Sequence, residues 1–162
     1  MPIGVAVTSD QQLARLLQIG VVLEEVVEAR ASRHLETLDD TADAEIIALL
    51  EEAVEESHEH SEQLRTLIEE LDGEAVGYAE IEKLVRERYA RNEPEDFDDL
   101  LYDQFCNEET AYKFYEDLIA AIAASDVSFS IDRERLVHVL SNIRDDEAEG
   151  AEAVASLMEG YP

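Results

Sequence analysis

Four blocks of this chain, each close to about thirty residues, repeat apolar side chains at the three- and four-residue spacing of an α-helix, and no stretch shows the strict alternation of a strand. Helices that each carry one apolar stripe bury those stripes against one another, so the expected class is all-α: a four-helix bundle in a single domain spanning residues 1–162. The long helices are expected over about residues 10–39, 43–71, 96–124 and 132–159, with a short one over about 76–91. On the first, Leu13, Leu17, Val21, Leu35 and Leu38 share a face. Asp40-Thr41-Ala42-Asp43 then supplies a turn with capping side chains, and Asp72-Gly73 stops the second helix. Asp72 to Glu95 forms a long connection, and with its short helix this segment reaches roughly 50 Å. That is about the length of a 30-residue helix. The third helix can therefore begin at the far end and lie parallel to the second, giving an up, down, down, up order with a long crossover.

Charge narrows the setting. Forty-one acidic residues against twelve basic ones leave a formal net charge of −29, a self-repulsion that costs a compact state dearly unless counterions screen it. Molar salt shortens the Debye length to about 3 Å and removes most of that cost. Only Lys83 and Lys113 are lysines, the other basic residues being arginines, and the apolar set leans on Ala, Val and Leu. This is the pattern of a halophile that keeps salt in its cytoplasm. So negative a surface repels phosphate backbones, which excludes nucleic acid as the expected partner. No apolar run approaches the ~20 residues of a membrane span, and the first ten residues have neither a basic stretch nor a small-residue cleavage site. A cytoplasmic location is expected. The single cysteine, Cys106, excludes intrachain disulfides and paired Cys-x-x-Cys iron sites, and it lies off the apolar stripe as a structural residue.

Acids among core residues are the informative ones, because an ionised carboxylate on a buried stripe is costly unless paired or metal-bound. At about 100° per residue, Glu28 falls within about 20° of Leu17, Val21 and Leu35. Glu108 falls as close to Phe97, Leu101, Tyr115 and Ile119, and Glu147 to Leu136, Leu140, Val154 and Met158. The second helix carries its stripe at Ile46, Leu50, Ala53, Leu64, Leu67 and Leu71, which turns Ser57 and His60 inward and leaves Glu56 on the flank. Glu55 and His58 point outward in this phase, as does His138, while His34 reads as a partly buried structural histidine. Depth provides a second criterion. Glu28 and Glu56 each lie about fourteen residues, or ~21 Å, from the first turn. Glu108 and Glu147 lie about nineteen residues, or ~28 Å, from the last one. The two depths sum to about the bundle length, so all four acids are expected at one level.

These residues resemble the ligand set of the ferritin-like carboxylate proteins of the rubrerythrin and bacterioferritin kind, over nearly the whole chain. Glu28-Ala-Arg-Ala31-Ser32 resembles that family's Glu-x-x-Ala-Ser, and Glu108-Glu-Thr-Ala111-Tyr-Lys-Phe-Tyr115 its Glu-x-x-Ala-x-x-x-Tyr. His60-Ser-Glu-Gln-Leu64 resembles His-x-x-x-Leu, and Ile143-Arg-Asp-Asp-Glu147-Ala-Glu-Gly150-Ala resembles Ile-x-x-x-Glu-x-x-His-Ala. The chain departs from the pattern at Gly150, where the family has His, and at Ser57, where it has Glu. The resemblance implies one or two ions of iron or manganese, with Glu28 and Glu108 as terminal ligands, His60 completing the first position, Glu147 bridging, and Glu56 standing in for the missing carboxylate. It implies an oxidoreductase that oxidises and sequesters ferrous iron or reduces peroxide, with Tyr112 and Tyr115 bonding a ligand or passing single electrons. It also implies a homodimer; the redox partner is not written in these residues. The competing reading is a metal-free bundle serving as a structural or interaction module, its buried carboxylates paired with His60 and the tyrosines or sharing protons.

Overall fold

The computed structural model describes residues 7–38, 41–72, 83 and 100–160. Among them the regular structure is entirely helical: α1 Asp10–Thr37, α2 Ala44–Glu70, α3 Leu100–Ala123 and α4 Arg133–Glu159. The expected short helix over about 76–91, apart from residue 83, and the beginning of the third helix before Leu100 lie outside the described residues. The helices start where side chains can satisfy otherwise orphaned backbone N–H groups. Ser9 Oγ accepts the Gln12 N–H at 3.1 Å, Asp43 Oδ1 that of Glu45 at 2.8 Å, and Asp132 Oδ1 that of Glu134 at 3.2 Å. α1 and α2 end at Leu38 and Leu71, where the backbone turns extended.

α1 packs most extensively on α2 and α3 on α4, while α1 also meets α3 and α2 meets α4. Cross-links fix their directions. Along α1 and α3, His34 bonds Asp103 at one end, Tyr115 bonds Glu24 midway, and the Ser125 hydroxyl donates to the Val7 carbonyl at the other end, so the two helices run antiparallel. His60 with Glu147 and Arg135 with Glu70 show the same for α2 and α4. Gly20 sits at a close approach of three helices, since a Cβ there would lie 3.1 Å from Leu64 Cδ1 and 3.3 Å from Phe114 Cε1.

Among the described residues the apolar interior comes in two pieces. The larger one gathers Leu13, Leu17 and Val21 of α1 with Leu64 and Leu67 of α2, Phe114 and Leu118 of α3, and Leu136 and Leu140 of α4. The smaller one, nearer the α1–α2 turn, centres on Ala31, Leu50 and Ala53, with Leu35, Ile46 and Leu100 against it. A buried ion triad ties α1 to α3 at that end: Arg30 Nη2 donates to Asp103 Oδ1 at 2.7 Å, and His34 Nε2 lies 2.6 Å from Asp103 Oδ2. Burial alone would raise the Asp103 pKa, but its bonds to His34 and Arg30 outweigh that and hold it below the ordinary value. Removing this carboxylate takes from the Arg30 guanidinium and the His34 ring the acceptor they share in the interior. Asp103→Ala should therefore cost about 3–5 kcal/mol in urea unfolding at molar salt. A loss below about 1 kcal/mol, the range of an exposed pair, would show that the triad does not brace the helices.

Candidate metal centre

Between the two apolar pieces lies a polar layer: Glu24 from α1, Ser57 and His60 from α2, Gln104 and Glu108 from α3, and Glu147 from α4, all buried. Helical phase puts each of them there, because each continues its helix's apolar stripe. Glu24 sits three residues after Val21 and three before Val27, His60 four before Leu64, Glu108 three before Ala111, and Glu147 four after Ile143 and four before Ala151.

The imidazole of His60 is the hub. Its Nδ1 lies 3.1 Å from Glu147 Oε1 and 3.4 Å from Glu24 Oε1, and its Nε2 lies 2.9 Å from Asp146 Oδ2. One ligand atom each from Glu24, His60 and Glu147 falls within 4.8 Å of the others, and the same holds for Glu56, His60 and Asp146. The first set is fully buried; the second faces outward. The chain thus brings together carboxylate and imidazole donors that can hold a metal ion inside a helical bundle. Tyr115 Oη donates to Glu24 Oε1 at 2.6 Å and Gln104 Nε2 to Glu108 Oε1 at 3.0 Å. The other Glu24 oxygen, Oε2, is buried without a hydrogen-bond partner. Such an orphaned acceptor is expensive unless something positive sits against it, so the inner set fits a cation.

Three buried carboxyl groups crowd one imidazole, and the proton affinities of Glu108, Glu147 and the ring respond. Burial raises Glu147 well above the ordinary carboxylate value, and the charge of Glu24 and a bond with Glu108 raise it further. Burial also raises Glu108, against the lowering effect of its bonds to Glu147 and Gln104. Burial thus biases the Glu108–Glu147 pair toward its protonated form. Burial pulls His60 down, but bonds to Glu24 and Asp146 outweigh it and push the ring up to about 9. Glu147 is geometrically nearer to Nδ1 than Glu24 is, yet with its proton held it is the poorer counter-charge. Glu56 rises to about 7, mainly through burial and secondly through the charge of Asp146. Tyr115, wholly buried, is pushed far up and stays a phenol that can only donate to Glu24.

Several sequence expectations land elsewhere. Glu28 is partly exposed, with Oε1 3.9 Å from His58 Nδ1, and it is not in the cluster. Glu24, one turn earlier, takes the α1 position. The reason is that α1 is buried nearly all round here, with Val21, Val22, Leu23, Val26 and Val27 in the interior, so the stripe is too broad for its phase to choose between two acids one turn apart. Tyr112 is likewise outside: its hydroxyl donates to Glu116 at 2.8 Å, and its side chain lines an outer groove between α3 and α4. Glu56 belongs to the outer set only. His60, Glu108, Glu147 and Tyr115 are in the layer, Glu55 and His58 are exposed, and His34 is buried against Asp103. Asp146 and Gln104 were missed; Asp146 immediately precedes a core-facing Glu, and that neighbour was the available signal.

Gly150 shapes the α4 side of the layer. A Cβ there would lie 2.7 Å from Glu108 Oε2 and 2.8 Å from Glu108 Cδ, so the absent side chain is what lets the Glu108 carboxyl rest against α4. An open cavity of about 240 Å³ runs in from solvent between α2 and α4, with Glu52, Glu56, Glu108, Asp146, Glu149 and Gly150 among its walls. No helix among the described residues is long and apolar enough to cross a membrane. Set against family models, characterised proteins and solved structures, the chain matches none.

Proposed function

We propose that the chain is a ferritin-like metal protein that binds ferrous iron or manganese through Glu24, His60 and Glu147 and turns over dioxygen or peroxide there. The observation that carries this reading is the buried donor set with an unpartnered Glu24 oxygen, placed where a bundle would otherwise be filled with hydrocarbon. Antiparallel α1/α3 and α2/α4 pairs, with a long connection between α2 and α3, support the ferritin-like assignment. Mixed carboxylate and imidazole donors suit iron or manganese, and such an ion, held by Glu24, His60 and Glu147, would supply the electrons for reducing dioxygen or peroxide. The protein's own groups prepare the site. With an ion bound and the ring neutral, Asp146 would take the Nε2–H of His60 and leave the Nδ1 lone pair for the ion, while the Tyr115 hydroxyl holds the Glu24 carboxylate in place.

Anaerobic titration in molar potassium chloride tests the proposal. About one ion of Fe²⁺ or Mn²⁺ per chain should bind well below a Kd of about 1 mM, and His60→Ala or Glu147→Gln should weaken it by about 100-fold or more. Admitting air to the ferrous form should then oxidise the iron faster than free Fe²⁺ under the same conditions. Wild-type protein that binds neither ion would turn the assignment to the metal-free bundle, whose carboxyl groups are held by His60 and shared protons alone.

A further inference from the structure

We propose that Glu56, Asp146 and the Nε2 side of His60 form a second, solvent-facing cation site that captures the divalent metal before it reaches the inner donors; this rests on the inner-site reading above. The two carboxylates come from facing helices, Glu56 from α2 and Asp146 from α4, and their oxygens share a 4.8 Å group with an imidazole nitrogen. Both line the cavity, and its described wall residues include five acids and no lysine or arginine. A cleft of one sign concentrates counter-ions and guides them inward. The cavity floor is the carboxyl group of Glu108, exposed to it because Gly150 has no side chain. Glu108 in turn bonds Glu147, an inner donor, so an unbroken series of carboxylates leads from solvent to the centre.

His60 decides how the two sites relate. A neutral imidazole presents one lone pair and one N–H, so it ligates through one nitrogen while donating through the other. A cation in the outer site takes Nε2 and leaves Nδ1–H to donate to Glu147. A cation in the inner site takes Nδ1 and leaves Nε2–H to donate to Asp146. Passage inward moves one proton from Nδ1 to Nε2, and His60 serves the two positions alternately. The outer ion, held beside a half-exposed Asp146, keeps most of its water; the inner ion, among fully buried donors, loses it.

Mn²⁺ reports this difference through the relaxation of water protons, read after rapid mixing in molar potassium chloride, where diffuse binding to the acidic surface is screened. Wild type should show a water-rich bound state that converts to a water-poor one. In Glu56→Gln the early state should vanish and inner loading slow by about tenfold or more. In Glu147→Gln, which removes an inner donor, the water-rich state should persist. Circular dichroism establishes that each variant is folded. Loading of Glu56→Gln at the wild-type rate, or loss of the water-rich signal in Glu147→Gln, overturns the outer site while wild-type inner binding stands. Wild-type protein that never reaches a water-poor state refutes the inner site, and the outer one as its antechamber with it.

Discussion

Raising the pH from 6 to 8 should tighten Mn²⁺ binding by about 100-fold at least, and by about 10⁴-fold if two protons leave when the ion arrives. The sign follows from the groups in the layer. A metal ligand must give up its proton, and here two of the ligands are groups that hold on to theirs: His60 is pushed up to about 9, and burial holds Glu147, like its neighbour Glu108, above the ordinary carboxylate value. Each proton displaced contributes about tenfold in affinity per pH unit as long as the pH stays below that group's pKa. Competition titrations against a chelating dye at pH 6, 7 and 8 give the slope, and calorimetry in buffers of different ionisation enthalpy counts the protons directly. A Kd that changes by less than about tenfold across the range would mean that the donors are not the protonated groups described, and the inner site would lose its basis.

How far the chain could be read in advance divides along physical lines. The four long helices were legible over their described residues because apolar periodicity and capping residues such as Asp43 and Asp132 leave little choice of boundary. His60, Glu108 and Glu147 were legible because the helices bearing them are amphipathic, each with a definite stripe. α1 was less so, because from 21 to 27 every residue but Glu25 is buried, and a stripe that broad does not separate Glu24 from Glu28. Depth would have resolved it. Measured from the first turn, His60 lies about eighteen residues beyond, and the residue about eighteen before is Glu24. Choosing Glu56 as the reference level instead of His60 set the whole α1 count one turn short. The outer site was invisible for another reason: Asp146 and Glu56 lie at the margin of their helices' buried faces, where sequence distinguishes a solvated acid from a cavity wall only once the partner helix is in place.

Without metal, the protein should become less stable as the pH rises from 5 to 9, the reverse of the usual behaviour of a protein stabilised by ionised carboxylates. A group whose pKa is raised by folding contributes stability that is complete below its unfolded value and lost as the pH climbs through its folded value. For Glu56 that window runs from 4.5 to about 7. For His60 it runs from 6.5 to about 9, a loss on the order of 3 kcal/mol. Glu108 and Glu147 push in the same direction. Asp103 has the opposite sign: its contribution is present above 3.8 and disappears as the pH falls through its lowered folded value, so the metal-free optimum lies near pH 5. In molar salt the melting temperature of chelator-treated protein should therefore fall by about 10 °C between pH 5 and 9. Saturating Mn²⁺ should reverse the slope, since ligand at about 100 times Kd adds about 2.7 kcal/mol and Kd itself shrinks as the pH rises. A metal-free melting temperature that stays level or climbs with pH would show that the buried carboxyls are neutralised by some group other than His60 and shared protons, and that the layer has no charge deficit for a cation to fill.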